Sequence, residues 1–272
     1  MGQAFESPAL AARAGVASDR AFRATSAILF AGSAAGTIYW CGSMSGGMPM
    51  PGGWTMSMAW MRMPGQTWAG AAVLFIGMWV LMMVAMMLPS LVPMLASFRR
   101  SVGGPDEARL GCLTTLVGAG YFFAWTIIGA AAYPLGVALA AAEMRLDALA
   151  RAVPFLTGAV ILLAGCVQFT EWKARQLGHC RDAPGCGCAV PMEARAAWRH
   201  GLRLGAHCAS CCAGFMAILL VAGVMDLGVM AVVAAAITVE RLAPRPRSAA
   251  RATGVLAVAT GAFVIARAVG VV

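Results

Sequence analysis

The chain has 272 residues, of which 61% are hydrophobic and only 11% are charged, and its formal net charge is +9. A soluble protein carries about a quarter charged residues, so this composition excludes an ordinary soluble globular domain. We expect an all-α, polytopic membrane helix bundle, because the apolar runs are long enough for membrane helices and do not alternate as barrel strands do. No polar segment is large enough for a second unit, so residues 1–272 are predicted to form a single membrane domain.

The apolar runs predict about seven transmembrane spans. In chain order they are 22–42, 68–97, 111–142, 154–172, 203–224, 228–243 and 252–272. The second and third are long and contain proline (Pro89 and Pro93, and Pro134), which predicts a tilt, a kink or an early end. The first run ends in "YWC" at 39–41, not in a small-residue cleavage site, so we favour an uncleaved signal-anchor over a secretory signal.

The basic residues predict the orientation of the spans. All of the 20 Lys and Arg residues fall in alternate connections, except Arg62, Arg145, Arg151 and Arg267. Since basic connections stay in the cytoplasm, we expect a cytoplasmic N-terminal segment (1–21), an external loop (43–67), a cytoplasmic loop (173–202) and an external C-terminus. The expected location is a bacterial inner membrane, and the net charge then requires no nucleic-acid partner.

The external loop at 43–67 is rich in methionine. It contains three M-x-M pairs, Met48/Met50, Met56/Met58 and Met61/Met63. A thioether is a soft ligand for Cu(I) and cannot form a disulfide in an oxidising compartment, so the loop is a candidate copper site. The alternative is an interfacial loop, in which tryptophans form a membrane belt and methionines fill gaps.

The second span continues this pattern. Met78, Met82 and Met86 recur every four residues and form one stripe, with Met83 and Met87 in a row beside it. Sulfurs on such a stripe, together with carbonyls exposed by the prolines, are suited to line an ion path. For this span alone, a methionine-rich packing face is the favoured interpretation.

Six of the nine cysteines and all three histidines lie between residues 179 and 212. On a helix, the side chains of "HCASCC" (His207, Cys208, Cys211 and Cys212) fall within an arc of about 140°. The preceding loop contributes His179 and Cys180. On the predicted reducing side of the membrane, these residues favour metal binding over disulfides. Copper is the expected metal and zinc is possible, while small buried side chains against a neighbouring helix are the alternative.

The segments "MWVLMMVAMMLPS" (78–90) and "HCASCC" (207–212) together resemble a bacterial family of uncharacterised, predicted metal-binding integral membrane proteins. The segments "QFTEWKARQLGHCRDAP" (168–184) and "AGVMDLGVMAVVAAAITVERL" (222–242) are similar to that family as well. The resemblance covers roughly residues 68–242. It implies metal binding and a membrane location, and it supplies no reaction.

The leading hypothesis is a copper-handling membrane protein that acts in transport or in metallation and assembly, with a copper chaperone or a metalloenzyme client as partner. No P-loop is present, so this chain alone would not drive ATP-dependent transport. Glu171 and Glu240 are expected to be interfacial caps, which disfavours proton coupling. The alternatives are a membrane thiol–disulfide oxidoreductase, using Cys208/Cys211 or Cys186/Cys188, and a non-catalytic membrane subunit. An enzymatic role is not favoured.

Overall fold

A computed structural model describes residues 8–44, 46–102, 107–182 and 193–270. Within them it contains eight helices and one two-stranded antiparallel sheet, so the all-α prediction is confirmed apart from this small hairpin. The elements are α1 (Pro8–Ser43), β1 (Gly47–Met50), β2 (Trp54–Ser57), α2 (Trp68–Val102), α3 (Glu107–Arg145), α4 (Asp147–Val167), α5 (Glu171–Asp182), α6 (Ala194–Ala222), α7 (Leu227–Leu242) and α8 (Pro246–Ala268).

Each of the seven predicted spans coincides mainly with one helix, and the fourth, 154–172, runs past α4 into the start of α5. By length and composition, five helices among the described residues are able to cross a membrane, namely α2, α3, α4, α6 and α8. Helix α7 has only 16 residues, and α1 does not meet the same criterion. The expected early ends at proline are absent, since α2 continues past Pro89 and Pro93 to Val102 and α3 continues past Pro134.

The predicted loop at 173–202 is largely helical. Most of α5 lies inside it, and α6 begins at Ala194, well before the predicted start at residue 203. The basic residues that suggested a loop, Arg195, Arg199 and Arg203, instead form one exposed stripe at four-residue spacing, while Ala197 and Gly201 face inward. The positive charge therefore marks the outer face of an amphipathic helix. Residues 183–192, which contain Cys186 and Cys188, lie outside the described residues.

The methionine-rich segment is a β-hairpin, where only a loop was predicted. Residues 47–50 pair with 54–57, so that Met48 lies opposite Met56 and Met50 lies opposite Trp54. Gly52 and Gly53 form the turn with positive φ angles of 105° and 76°, a conformation that favours glycine. The Trp54 indole N–H donates a hydrogen bond of 2.8 Å to the Ala150 carbonyl of α4, which holds the hairpin on the bundle.

The connections between helices cluster at two ends of the bundle. At the hairpin end, the Cys41 thiol of α1 approaches the Met225 sulfur between α6 and α7, at 3.9 Å. At the opposite end, Arg99 of α2 donates to the Ser18 hydroxyl of α1 at 2.7 Å. Successive long helices run between these ends, as a bundle of alternating spans requires. The assignment of each end to a compartment stays a prediction.

Helices α3 and α6 run parallel and make the closest helix–helix contact around the candidate site. A Cβ atom on Gly201 would lie 2.2 Å from the Val117 carbonyl oxygen, and one on Gly120 would lie 2.6 Å from the Trp198 carbonyl oxygen. Small residues permit backbones to approach in this way. The consequence is that the cysteines of α6 are set directly against the side chains of α3.

Candidate metal centre

A cysteine of α6 meets a methionine of α2 inside the bundle, and a second cysteine lies beside the first. The Cys208 thiol lies 3.9 Å from the Met87 sulfur, within contact range for a weak S–H donor. The Tyr121 hydroxyl of α3 donates a hydrogen bond of 2.8 Å to the Cys208 sulfur. Cys212, one turn further along α6, is within hydrogen-bonding reach of Cys208. We call Cys208, Cys212 and Met87 the sulfur centre.

The sulfur centre is closed to solvent. Cys208 and Met87 are 0% exposed, and Cys212 is buried as well. All three belong to the main apolar core, where Leu204, Phe215 and other methionines of α2 surround them. Soft, polarizable donors in a dry environment suit a soft monovalent cation, which needs few ligands and no water.

The other two residues of the "HCASCC" motif lie at the edge of the sulfur centre. Cys211 packs with Leu177 of α5 and Ala250 of α8, and its thiol is within hydrogen-bonding reach of Cys212. His207 lies on the exposed side of α6, so the four predicted ligands do not all converge on one point. Among the described residues, no group of three or more His, Cys, Asp or Glu side chains is arranged to hold a metal, and the thioether of Met87 is the additional sulfur beside Cys208.

The predicted methionine stripe of α2 lies in the interior. Met78, Met82 and Met86, together with the neighbouring row, are all buried. Met87, which belongs to that neighbouring row, is the member that reaches a thiol. Sequence reasoning did not select Met87 or Tyr121 as site residues, although the four-residue repeat that contains Met87 was visible.

The hairpin methionines differ in exposure. Met48 is 38% exposed and Met63 is 46% exposed, whereas Met56 is fully buried. Because alternate residues of a strand share a face with their cross-strand partners, Met48, Met50 and Met56 lie on one face of the hairpin, together with Trp54. Met58 and Met61 follow in and after a 3₁₀ turn and are partly buried.

A buried ion pair adjoins the sulfur centre on the side of α5. The Lys173 ammonium lies 2.8 Å from a Glu240 carboxylate oxygen, and both side chains are almost fully buried. The same ammonium donates to the Cys211 carbonyl at 2.7 Å, while the Thr253 hydroxyl donates to Glu240 at 2.5 Å. The expectation that Glu240 is an interfacial cap is wrong, because α5 brings a cation that makes its burial tolerable. Glu171 is exposed, as expected.

The remaining predicted ligands are His179 and Cys180, near the end of α5. The helix includes both residues, but their side chains lie outside the described part of the structure. Their contribution to a site stays a prediction.

The family model described as PpoB2, copper chaperone, matches residues 76–264. The match contains every residue of the sulfur centre, and it supports the sequence-based predictions of copper and of a metallation role. Neither a curated protein nor a solved structure matches the chain. Since the matched segment spans well over half of the sequence, the chain belongs to the PpoB2 copper chaperone family.

Proposed function

We propose that this protein is a copper chaperone embedded in the bacterial inner membrane, which holds Cu(I) at the sulfur centre and passes it to a metalloenzyme client. Membership of the family supports the copper and metallation parts of the proposal. The five long apolar helices support the membrane part. So do large apolar side chains on the outside of the bundle, such as Leu135, Val232 and Leu256, since an exposed apolar surface of this kind needs a cover, here the lipid bilayer.

The observation that carries the proposal is the contact of 3.9 Å between the Cys208 and Met87 sulfurs. A metal–thiolate bond is about 2.3 Å long, as for zinc, so two sulfurs that share one ion are at most about 4.6 Å apart. The observed separation satisfies that limit without any movement of the helices. Cys212 supplies a third sulfur at the same place.

The combination of two thiols and one thioether also suits the transfer of Cu(I) to a client protein. Two thiolates give strong, anionic ligation, and a thioether is neutral and weak. A client thiolate that approaches the ion therefore replaces the thioether first, and the copper stays ligated throughout the exchange. A chaperone needs such stepwise exchange, because an ion fixed by several strong ligands would not leave.

The hairpin methionines provide a weaker site at the other end of the path. Met48, Met50 and Met56 present thioethers on one face, where Cu(I) is collected from an external donor. From there the row of buried methionines in α2 leads inward. At 1.5 Å per residue, the distance along the helix from Met78 to Met87 is about 14 Å. Met58, Met61 and Met63 extend the collecting surface beyond the hairpin.

His207, Cys211, Cys180 and His179 are proposed as ligands on the cytoplasmic side. His207 is exposed on α6, and Cys211 faces α5, the helix that carries the other two residues. Thiolate and imidazole together also suit zinc, so a Zn(II) ion at this outer group is compatible with Cu(I) at the sulfur centre. This division keeps the two metals in different surroundings.

The full-length protein, purified anaerobically in mild detergent, provides the test. We expect one tightly held Cu(I), measured by competition with a chromophoric chelator, and only sulfur ligands in the X-ray absorption spectrum. The Cys208→Ser/Cys212→Ser variant should fold and lose this ion. The matched control is Cys112→Ser/Cys166→Ser, at two exposed cysteines of α3 and α4. A folded Cys208→Ser/Cys212→Ser variant that keeps its copper would refute the proposed site.

The membrane part has a test of its own. Single cysteines introduced at residues 55 and 190 of the protein in intact cells should react with an impermeant thiol reagent only at residue 55. Labelling of both positions, or of residue 190 alone, contradicts the proposed orientation.

The two alternatives predict different results for the same variants. A thiol–disulfide oxidoreductase would keep its metal content when Cys208 becomes serine and would lose a mixed disulfide with a thiol partner. A non-catalytic subunit would carry no metal in any variant. One set of purified proteins therefore separates all three functions.

A further inference from the structure

A buried arginine stands beside the sulfur centre. Arg241, in the last turn of α7, is almost fully buried. Its guanidinium donates a hydrogen bond of 3.2 Å to the Ser90 hydroxyl of α2, and that hydroxyl donates to the Met87 carbonyl at 2.9 Å. The cation is thus attached to the turn of α2 that carries the thioether ligand.

The charge of Arg241 acts on the thiols themselves. The guanidinium is close enough to interact electrostatically with Cys208, with Cys212 and with the Tyr121 hydroxyl. The other cation near the centre, Lys173, lies against the Glu240 carboxylate at 2.8 Å, which compensates its charge locally. In a medium of low dielectric constant, a nearby unit charge changes the stability of any ion formed at the sulfurs.

The charge of the complex depends on the metal. When Cu(I) binds two thiols, two S–H bonds break, two Cu–S bonds form and two protons leave, which gives a Cu(I)–dithiolate of charge −1. The same exchange with Zn(II) gives a neutral complex. A fixed positive charge nearby stabilises the first product and contributes nothing comparable to the second.

Building on the proposed function, we propose that Arg241 is a specificity-determining residue, which compensates the charge of a Cu(I)–dithiolate at Cys208 and Cys212 and thereby favours Cu(I) over Zn(II). Arg241 does not touch the ion; it acts through its charge and through Ser90. Tyr121 supports it, because its hydroxyl donates a hydrogen bond to the Cys208 sulfur, one of the two atoms that would carry the negative charge of the complex. This is the role that partners outside the ligand set commonly have in metal sites.

The test compares Cu(I) and Zn(II) affinities of the full-length protein, each measured against a chromophoric chelator. In Arg241→Gln we expect Cu(I) affinity to fall by about 10–100-fold, the usual effect of removing an outer partner, while Zn(II) affinity stays constant or rises. Arg241→Lys keeps the charge and should keep most of the preference for Cu(I). The matched control is Arg99→Gln, a buried cation in the last turn of α2 that contacts Ser18 and Phe22 of α1, and it should leave the ratio of Cu(I) to Zn(II) affinity unchanged.

A second comparison separates charge from structural damage. In the Cys212→Ser background, the Cu(I) complex has a single thiolate and no net charge, so Arg241→Gln should then reduce Cu(I) affinity much less. If Arg241→Gln does not fold, Arg241→Met replaces the cation by an apolar chain that a buried site tolerates better. If Arg241→Gln weakens Cu(I) and Zn(II) binding equally, or leaves the ratio of the two affinities unchanged, the inference is overturned. Wild-type protein that binds no Cu(I) would instead refute the proposed function itself.

Discussion

The hairpin and the sulfur centre both contain methionine, but in different surroundings. Met48 in the hairpin is 38% exposed, whereas Met87 in the sulfur centre is fully buried. The hairpin takes its sulfurs from one short stretch of chain; the sulfur centre joins α2 and α6, which are remote in sequence. A local set of neutral thioethers that is partly exposed binds weakly and exchanges quickly. A buried set with thiolates binds tightly and is protected from water, so the contrast suits collection at one place and storage at the other.

The largest effect should come from the packing that forms the sulfur centre. In Gly201→Ala the new Cβ would lie 2.2 Å from the Val117 carbonyl oxygen, so α3 and α6 must separate. We expect a loss of about 1–3 kcal/mol in the free energy of unfolding and loss of most Cu(I) at the centre, measured by thermal unfolding and chelator competition. The control is Gly118→Ala, where no atom is within 4 Å of the new Cβ. Equal behaviour of the two variants would mean that the close helix contact does not build the site.

Met87→Leu should weaken the sulfur centre without disturbing the fold. Leucine keeps the apolar bulk and costs less than about 1.5 kcal/mol of stability, but it removes one ligand, so Cu(I) affinity should fall about tenfold, as is common for a weak ligand or its support. Met78→Leu, a buried methionine in the adjacent stripe of the same helix, is the matched control and should retain tight binding. If both variants bind Cu(I) like the wild type, the stripe is a packing face only.

Methionine substitutions in the hairpin should reduce Cu(I) binding by a smaller amount. The reduction should depend on whether the methionine lies in the paired strands. In the Cys208→Ser/Cys212→Ser background, Met48, Met50 and Met56 changed together to leucine should abolish the remaining weak Cu(I) binding. The matched triple change at Met58, Met61 and Met63 should reduce it only partly, because these residues lie outside the paired strands. Zn(II) binding should be negligible in all of these proteins, since thioethers are soft and neutral. Equal losses of Cu(I) binding in the two triple variants would mean that strand pairing does not determine which methionines bind copper.

Trp54→Phe should have the smallest effect. It removes the hydrogen bond from the indole to the Ala150 carbonyl, which contributes about 1 kcal/mol. We expect faster amide hydrogen exchange in residues 47–57 and unchanged Cu(I) affinity at the sulfur centre. Slower Cu(I) uptake without a change in affinity would sharpen the comparison, because it would connect the hairpin to the rate of loading. A change in Cu(I) affinity at the sulfur centre would contradict the view that the hairpin and the centre are separate sites.

Composition and apolar runs predicted the helices, because burial in an apolar medium leaves a strong local signal. The hairpin was missed although its signals were local as well. The M-x-M repeats have the two-residue period of a strand, and "PGG" between them is a turn sequence, yet the repeats were interpreted as metal ligands or as an interfacial loop. The early start of α6 was missed because charge was taken to mean loop, when Arg195, Arg199 and Arg203 repeat at helical spacing.

The candidate site was predictable in part. The residue types and the positions of Cys208 and Cys212 came from the motif, and the segment that carries them is helical, as that prediction assumed. The exposed stripe of Arg195, Arg199 and Arg203, which His207 continues four residues later, marks the outer face of α6. It does not tell which of the helices α2, α5 and α8 each cysteine contacts. The contacts of Met87 and Tyr121 with Cys208 likewise connect distant parts of the chain.

The ion pair between Lys173 and Glu240 implies an order of assembly. Either charge alone would be costly in an apolar interior, so the two must be buried together. Lys173 lies on α5 and is made before α6 and α7, while Glu240 lies near the end of α7. We therefore expect the part of α5 around Lys173 to pack stably against Cys211 only once α7 has brought Glu240 to the same place. The side of α6 that faces α5 would then close after the side that faces α3.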